Sequence, residues 1–311
     1  MRKLRDYSFI LILFSISMYS CEEEISPEDT NSNPKFVVES YIELGNEALP
    51  TYALITKTLG FYSKFSQADL LQSFISGASV KILHNSDTVK LQEVCFASLT
   101  PDLKESVAKV LGIDVDSIKL DICVYVDILN SIKPQIGNTY EINVQVDQTV
   151  LSGKTSMPNL VPIDSFWFEP TPGKALDSFL QLFCTISDLP NEKNFYRYFV
   201  ATGDGTFKAN FQSVTDDAFF DGKEFKFTLQ NAQSQDDDFN ESYGYFKKGD
   251  TITLKWCNLD EAHFNFWNTL EVSRTRQGPF ANYVRIESNI KNGLGIFGAY
   301  HCKNYKIAIP K

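Results

Sequence analysis

Cys21 is placed for a covalent reaction. It follows a basic start (Arg2, Lys3, Arg5), a run of apolar or small residues from Phe9 to Met18, and the small residue Ser20. That run is too short to cross a bilayer, which takes about 20 apolar residues, and it has the length and flanks of a signal-peptide core. A small residue and then cysteine after such a core is the substrate of bacterial lipoprotein processing. The thiol takes a diacylglyceryl group, the peptide is cut before it, and Cys21 becomes the N-terminus. Met18 and Tyr19 depart from the usual Leu and small residue of that motif; the alternative is a secreted protein whose cysteine falls here by chance. Residues 1–20 are read as signal peptide. The acyl chains on Cys21 are read as the membrane anchor, each buried CH₂ adding about 0.8 kcal/mol.

Five more cysteines follow: Cys95, Cys123, Cys184, Cys257 and Cys302. Their spacings are wide and contain no C-x-x-C, so metal and redox motifs are absent. An oxidising compartment permits pairing. Cys257 with Cys302 and Cys95 with Cys123 are the expected disulfides, against buried free thiols as the alternative. The three histidines, His84, His263 and His301, fall in no metal-ligand spacing and read as core or surface residues. No G-x-S-x-G elbow nominates a serine nucleophile. Asp236, Asp237, Asp238 and Asn240 offer oxygen at calcium-like spacing. However, Glu241 and Lys247 stand where an EF-hand loop needs Gly and a bidentate Glu, so a solvated acidic loop is expected. Asn292-Gly293-Leu294-Gly295 lacks the third glycine and the following helix of a phosphate cradle, and reads as a tight turn. No catalytic residue, metal or cofactor is expected.

Aromatic side chains are the remaining candidates. Trp167, Trp256, Trp267, Tyr196, Tyr198, Tyr243 and Tyr245 would stack on sugar rings where exposed, although half of them should point into a core. Tyr243-Gly244-Tyr245-Phe246, in a polar stretch, is the expected exposed tip, with Tyr243, Tyr245 and Phe246 as contacts for a partner.

The elements that hold these residues are mainly strands. Runs of Val, Ile, Tyr and Thr alternating with polar residues predict strands at 36–44, 52–59, 78–84, 88–94, 122–129 and 139–146. Thr100 and Pro101 open a short helix to Leu111 inserted among them. The stretch 152–163, with Pro158 and Pro162, marks a boundary. Beyond it, strands are predicted at 164–169, 178–187, 195–201, 206–211, 224–229 and 251–256. Gly203-Asp204-Gly205 gives a hairpin turn. An amphipathic helix over 258–275 has Ala262, Phe266 and Leu270 spaced by four, as are His263 and Trp267, with Asn258 and Glu261 as a capping box. A last strand fills Gly293 to Ile309.

The fold class is therefore all-β. Residues 21–34 form an acidic tether, 35–157 an immunoglobulin-like sandwich with a short inserted helix, and 158–311 a second antiparallel β domain carrying one amphipathic helix. The chain carries 29 Lys+Arg and 39 Asp+Glu, a net charge of −10. Loss of residues 1–20 removes Arg2, Lys3, Arg5 and Asp6 and leaves −12. Phosphate binding needs a basic surface, so nucleic acid is excluded as a partner, as is lying flat on anionic lipid.

Several stretches resemble a known family. They are the acidic run after Cys21 with PKFVVESYIE and GASVKIL, then TYEINVQV…SGKTSMPNLVPIDSFWFE. The most specific is FNFWNTLEVSRTRQGPF followed by SNIKNGLGIFGAY. The chain is identified as similar to the Bacteroidota outer-membrane lipoproteins of domain-of-unknown-function family 4249, with the insert at 101–118 as a departure. The resemblance implies an outer-membrane lipoprotein that accompanies a TonB-dependent uptake system. Glu22, Glu23 and Glu24 look like the surface-export signal of that phylum, so the exterior leaflet is expected. The expected function is a binding or accessory module whose ligand the sequence does not name. The alternatives are a hydrolase of extracellular polymers and a purely structural envelope protein.

Overall fold

The computed structural model describes residues 34–59, 72–85, 87–99, 122–173, 177–203, 205–232, 241–275 and 284–311, with positions 66, 69 and 104. The strands in the first part are β1 (Phe36–Leu44), β2 (Tyr52–Lys57), β3 (Ser79–His84), β4 (Asp87–Lys90), β5 (Gln92–Cys95), β6 (Cys123–Val126), β7 (Thr139–Val146) and β8 (Thr149–Ser156). Then come β9 (Ile163–Pro170), β10 (Phe179–Ser187), β11 (Phe195–Thr202), β12 (Lys208–Asp216), β13 (Glu224–Leu229), β14 (Phe246–Lys247) and β15 (Thr251–Leu259). The helix α1 (Glu261–Thr275) and β16 (Leu294–Ala308) complete the chain.

The fold is all-β, built on one eight-stranded sheet in the order β12-β11-β15-β16-β1-β2-β6-β5. Two smaller sheets cover the same face of it. The sheet β4-β3-β7-β8 encloses a first core with β1 and β2: Val38, Ile42 and Ile55 meet Val80, Ile82, Ile142, Val144 and Leu151. The sheet β13-β10-β14, with β9 beside β10, encloses a second core in which Leu182, Ile186 and Leu229 meet Val200, Leu254 and Trp256. Successive side chains on a strand face opposite ways, so residues between these core positions form the other face of the large sheet, and α1 packs there.

The boundary expected at 157–158 falls between the two cores, Met157 in the first and Val161 in the second. The large sheet nevertheless runs across it. β16 pairs parallel with β1, Val37 opposite Leu294 through Leu44 opposite His301, and antiparallel with the whole of β15. It gives Phe297 and Ala299 to the first core and Ile307 to the second. Gly295 makes this junction: its φ is +105°, and a Cβ there would sit 2.0 Å from the Val38 carbonyl oxygen. Only glycine combines that backbone with that approach.

Three expectations need correction. The run 88–94 is not one strand: Leu91, 2 % exposed, separates β4 in one sheet from β5 in the other, so the chain changes sheets there. The stretch 152–163 is not all linker. β8 extends to Ser156 and pairs along β7, with Gly153 lying against Ile290 and Phe297, where a larger side chain has no room. Helix α1 is capped by Asp260 and not by Asn258. The Asp260 Oδ1 accepts the His263 amide at 3.0 Å, while Asn258 is a strand residue whose Oδ1 accepts the Val161 amide. The helix expected at 101–111 lies outside the described residues, Lys104 excepted.

Candidate functional site

The second sandwich is open on one side. β12 is an end strand of the large sheet and β13 an end strand of the small one. Between them lies a cleft of about 380 Å³, within the ~300–1,000 Å³ usual for ligand sites. Its shape comes from an irregularity in pairing. Arg197 opposes Val214 and Phe199 opposes Ala209, so Tyr198 alone faces the four residues Asn210 to Ser213. Bulges of this kind bend a strand and re-aim its side chains.

Tyr198 anchors the cleft. Its hydroxyl accepts the Gln230 amide at 3.0 Å, and Asn210 Nδ2 donates to Gln230 Oε1 at 2.7 Å, so the bulge is tied to the end of β13. Burial pushes the Tyr198 hydroxyl up from its ordinary range, so it stays neutral. Trp256 and Tyr196 form a buried floor, with Phe227, Thr228, Gln212 and Tyr243 around the opening. The indole N–H of Trp256 is spent on the Val161 carbonyl. The Tyr196 hydroxyl donates to Asp188 Oδ1. Arg197 and Ser213 border the cleft through backbone, because their side chains turn to the opposite face. There the Arg197 Nε donates to Ser213 Oγ at 2.9 Å, and the guanidinium lies 3.7 Å from the Trp267 ring centre. Among the described residues, the cleft is thus lined by amides, hydroxyls and aromatic rings, and no charged side chain reaches into it. That lining suits reversible hydrogen bonding and stacking.

Beneath α1 is a layer of ionisable groups. Glu271 accepts both the hydroxyl and the amide of Ser213, at 2.6 and 3.0 Å. Lys255 pairs with Glu43, and Tyr41 donates to Glu39 at 3.1 Å. Burial raises the carboxyl pKa of Glu39 and Glu271 and lowers that of Arg197. His263 is buried between Tyr41 and Tyr300, and desolvation takes its pKa down to about 3. Its ring leaves no room for a side chain at position 298: a Cβ there would lie 2.6 Å from His263 Cγ. These contacts clamp the helix to the sheet. The stripe of α1 that faces inward is His263, Phe264, Trp267 and Glu271, so of the two spacings expected it holds His263 with Trp267, while Ala262, Phe266 and Leu270 lie beside it, half-buried.

The other residues singled out by the sequence are scattered. Cys21 and the loop Asp236–Asn240 lie outside the described residues. Tyr243 reaches the cleft and Tyr245 is half-buried, but Phe246 is fully buried in the second core, so the exposed tip expected at 243–246 does not include it. Cys95 is bonded to Cys123 across β5 and β6, and Cys257 to Cys302 across β15 and β16. Cys184 is a buried free thiol, its pKa pushed up to about 12 by burial. His84 stacks on Tyr140. Trp167 stacks on Phe183 and donates to Glu169. Asn292 adopts φ +59° and donates to the Val150 carbonyl, as a tight turn requires.

One acidic group was not foreseen. Oxygens of Asp188, Asp217 and Asp221 lie within 4.8 Å of one another. All three carboxylates accept backbone donors, from Gly222, Asn194 and Asn191 respectively, and so clamp the turn between β12 and β13. Of the cleft residues, the aromatic ones (Tyr196, Tyr198, Tyr243 and Trp256) were among the stacking candidates, whereas Asn210, Gln212, Thr228 and Gln230 carried no linear signal. Asn210, Gln230 and Tyr243 meet only because a bulge and two sheet edges converge.

No helix among the described residues is long and apolar enough to cross a membrane. No curated protein matches the chain. One family model, described as a domain of unknown function, matches residues 22–306. With that match over nearly the whole length, the chain belongs to the DUF4249 family.

Proposed function

We propose that this is a cell-envelope protein held at the outer membrane by acyl chains on Cys21, and that its folded part binds a ligand without transforming it. The cleft between β12 and β13 carries this reading, because its lining is built to hold a neutral polar molecule. A membrane anchor raises the local concentration of such a site beside any neighbour in the same membrane. The net charge of −12 left after loss of residues 1–20 keeps the domain off anionic lipid and leaves the cleft free. The accessory role follows: the protein presents its ligand to a TonB-dependent uptake system in the same leaflet.

Affinity purification of the tagged lipoprotein from solubilised membranes tests this reading. Stoichiometric recovery of an outer-membrane channel, lost when Cys21→Ala releases the protein from the membrane fraction, is the expected result. Repeated isolation of the bare protein, or a Cys21→Ala variant that still sediments with membranes, would overturn it.

A further inference from the structure

Resting on the cleft as the binding site, we infer that its ligand is an uncharged oligosaccharide. Three observations select that class. First, one backbone donor on each wall is already used. The Ser213 amide, on the outer edge of β12, goes to Glu271 Oε2, and the Gln230 amide at the end of β13 goes to the Tyr198 hydroxyl. A peptide that joins a sheet edge needs such N–H groups free, so at these two positions recognition falls to side chains.

Second, the exposed polar side chains are Gln212, Thr228 and Gln230. Each both donates and accepts, as a sugar hydroxyl does. Among the described residues, the one cation at the border, Arg197, is held on the other face between Ser213 and Trp267, so none of them in the lining pairs with a charged ligand. Third, the rings of Tyr198, Phe227 and Tyr243 are half-buried, each presenting an apolar surface beside the amides. Alternation of an apolar face and a polar rim matches a pyranose, whose C–H faces and hydroxyl edge divide the same way. The latch from Asn210 to Gln230 fixes the amide in place before a ligand arrives, which lowers the ordering cost of binding.

Calorimetric titration of the full-length lipoprotein, in a detergent without a sugar headgroup, tests the inference. The probes are maltohexaose, cellohexaose, xylohexaose and mannohexaose, with a library of uncharged hexapeptides beside them. The expected result is binding of at least one oligosaccharide. Gln230→Ala and Tyr243→Ala should each weaken it by about three- to tenfold, as the loss of one neutral hydrogen bond or ring contact does. Gln212→Ala and Thr228→Ala, at exposed positions, carry the same test if the first two lower the melting temperature. Binding by peptides alone, with the same sensitivity to these variants, would overturn the sugar class and leave the cleft as the site. Binding that ignores all four variants, or none by any probe, would overturn the cleft reading with it.

Discussion

Lys255 on β15 and Glu43 on β1 reach across the intervening strand β16 to form an ion pair of 2.6 Å, both residues buried. Tyr300 of β16 lies beside it, its ring centre 5.3 Å from the Lys255 Nζ. The pair therefore ties a strand of the first sandwich to a strand of the second.

Breaking it from one side strands a buried charge. Glu43→Gln or Lys255→Met should each cost roughly 3–5 kcal/mol, whereas Glu43→Leu with Lys255→Met should recover most of that loss. Urea midpoints of the three variants check this. Additive losses in the double variant would mean that the two charges act independently.

Asp260 and His263 set opposing pH dependences at the start of α1. Burial raises the Asp260 pKa from 3.8 to about 6, so the folded state holds its proton more tightly, and this contribution is lost as pH rises from 4 through 6. Burial lowers the His263 pKa from 6.5 to about 3, so its contribution is present above pH 6.5 and is lost as pH falls. Between pH 4 and 6 the two cancel. His263→Phe should unmask Asp260, and stability should then rise by about 1.4 kcal/mol per unit as pH falls from 6 to 4. Melting curves over that range test it; a variant with the wild-type slope would show that the two groups do not titrate as described.

Alkylation of the unfolded but unreduced protein should block one thiol after Cys21, namely Cys184, and reduction should release four more. Mass spectrometry counts them directly. Replacing both Cys257 and Cys302 by alanine should cost about 4 kcal/mol on the chain-entropy account of a bridge between residues 45 apart. No change in the urea midpoint would count against a bridge that forms in the cell.

Protease added to intact cells should remove the folded part, since the acidic stretch after Cys21 is read as an export signal to the outer leaflet. Cleavage only after lysis would place the protein on the periplasmic side.

Much of this architecture could be read from residue order. Alternation located nearly every strand, because a half-buried antiparallel strand writes its two faces into the sequence at period two. Thr88–Val94 hid a change of sheet, since Leu91 is apolar and continues the alternation by type. β8 was partly hidden by Gly153 and the prolines after it. The parallel pairing of β1 with β16 joins residues more than 250 positions apart and leaves no local mark. Helix α1 was legible in part: the spacing of His263 and Trp267 marks its inward stripe, but Glu271 completes that stripe as a polar residue whose partner lies on another strand. The cleft was legible only through its aromatic residues, Tyr196, Tyr198, Tyr243 and Trp256; its polar groups come from a bulge and a strand end, neither distinctive alone.

The long strand β16 also governs when the molecule can form. Both cores require side chains from the stretch 297–309, Phe297 and Ala299 for one, Ile307 and Ile309 for the other. A nascent polypeptide truncated before Leu294 lacks the central partner of β1 and β15 alike, and must wait for it. Slow closure through distant pairings is the general rule for such topologies.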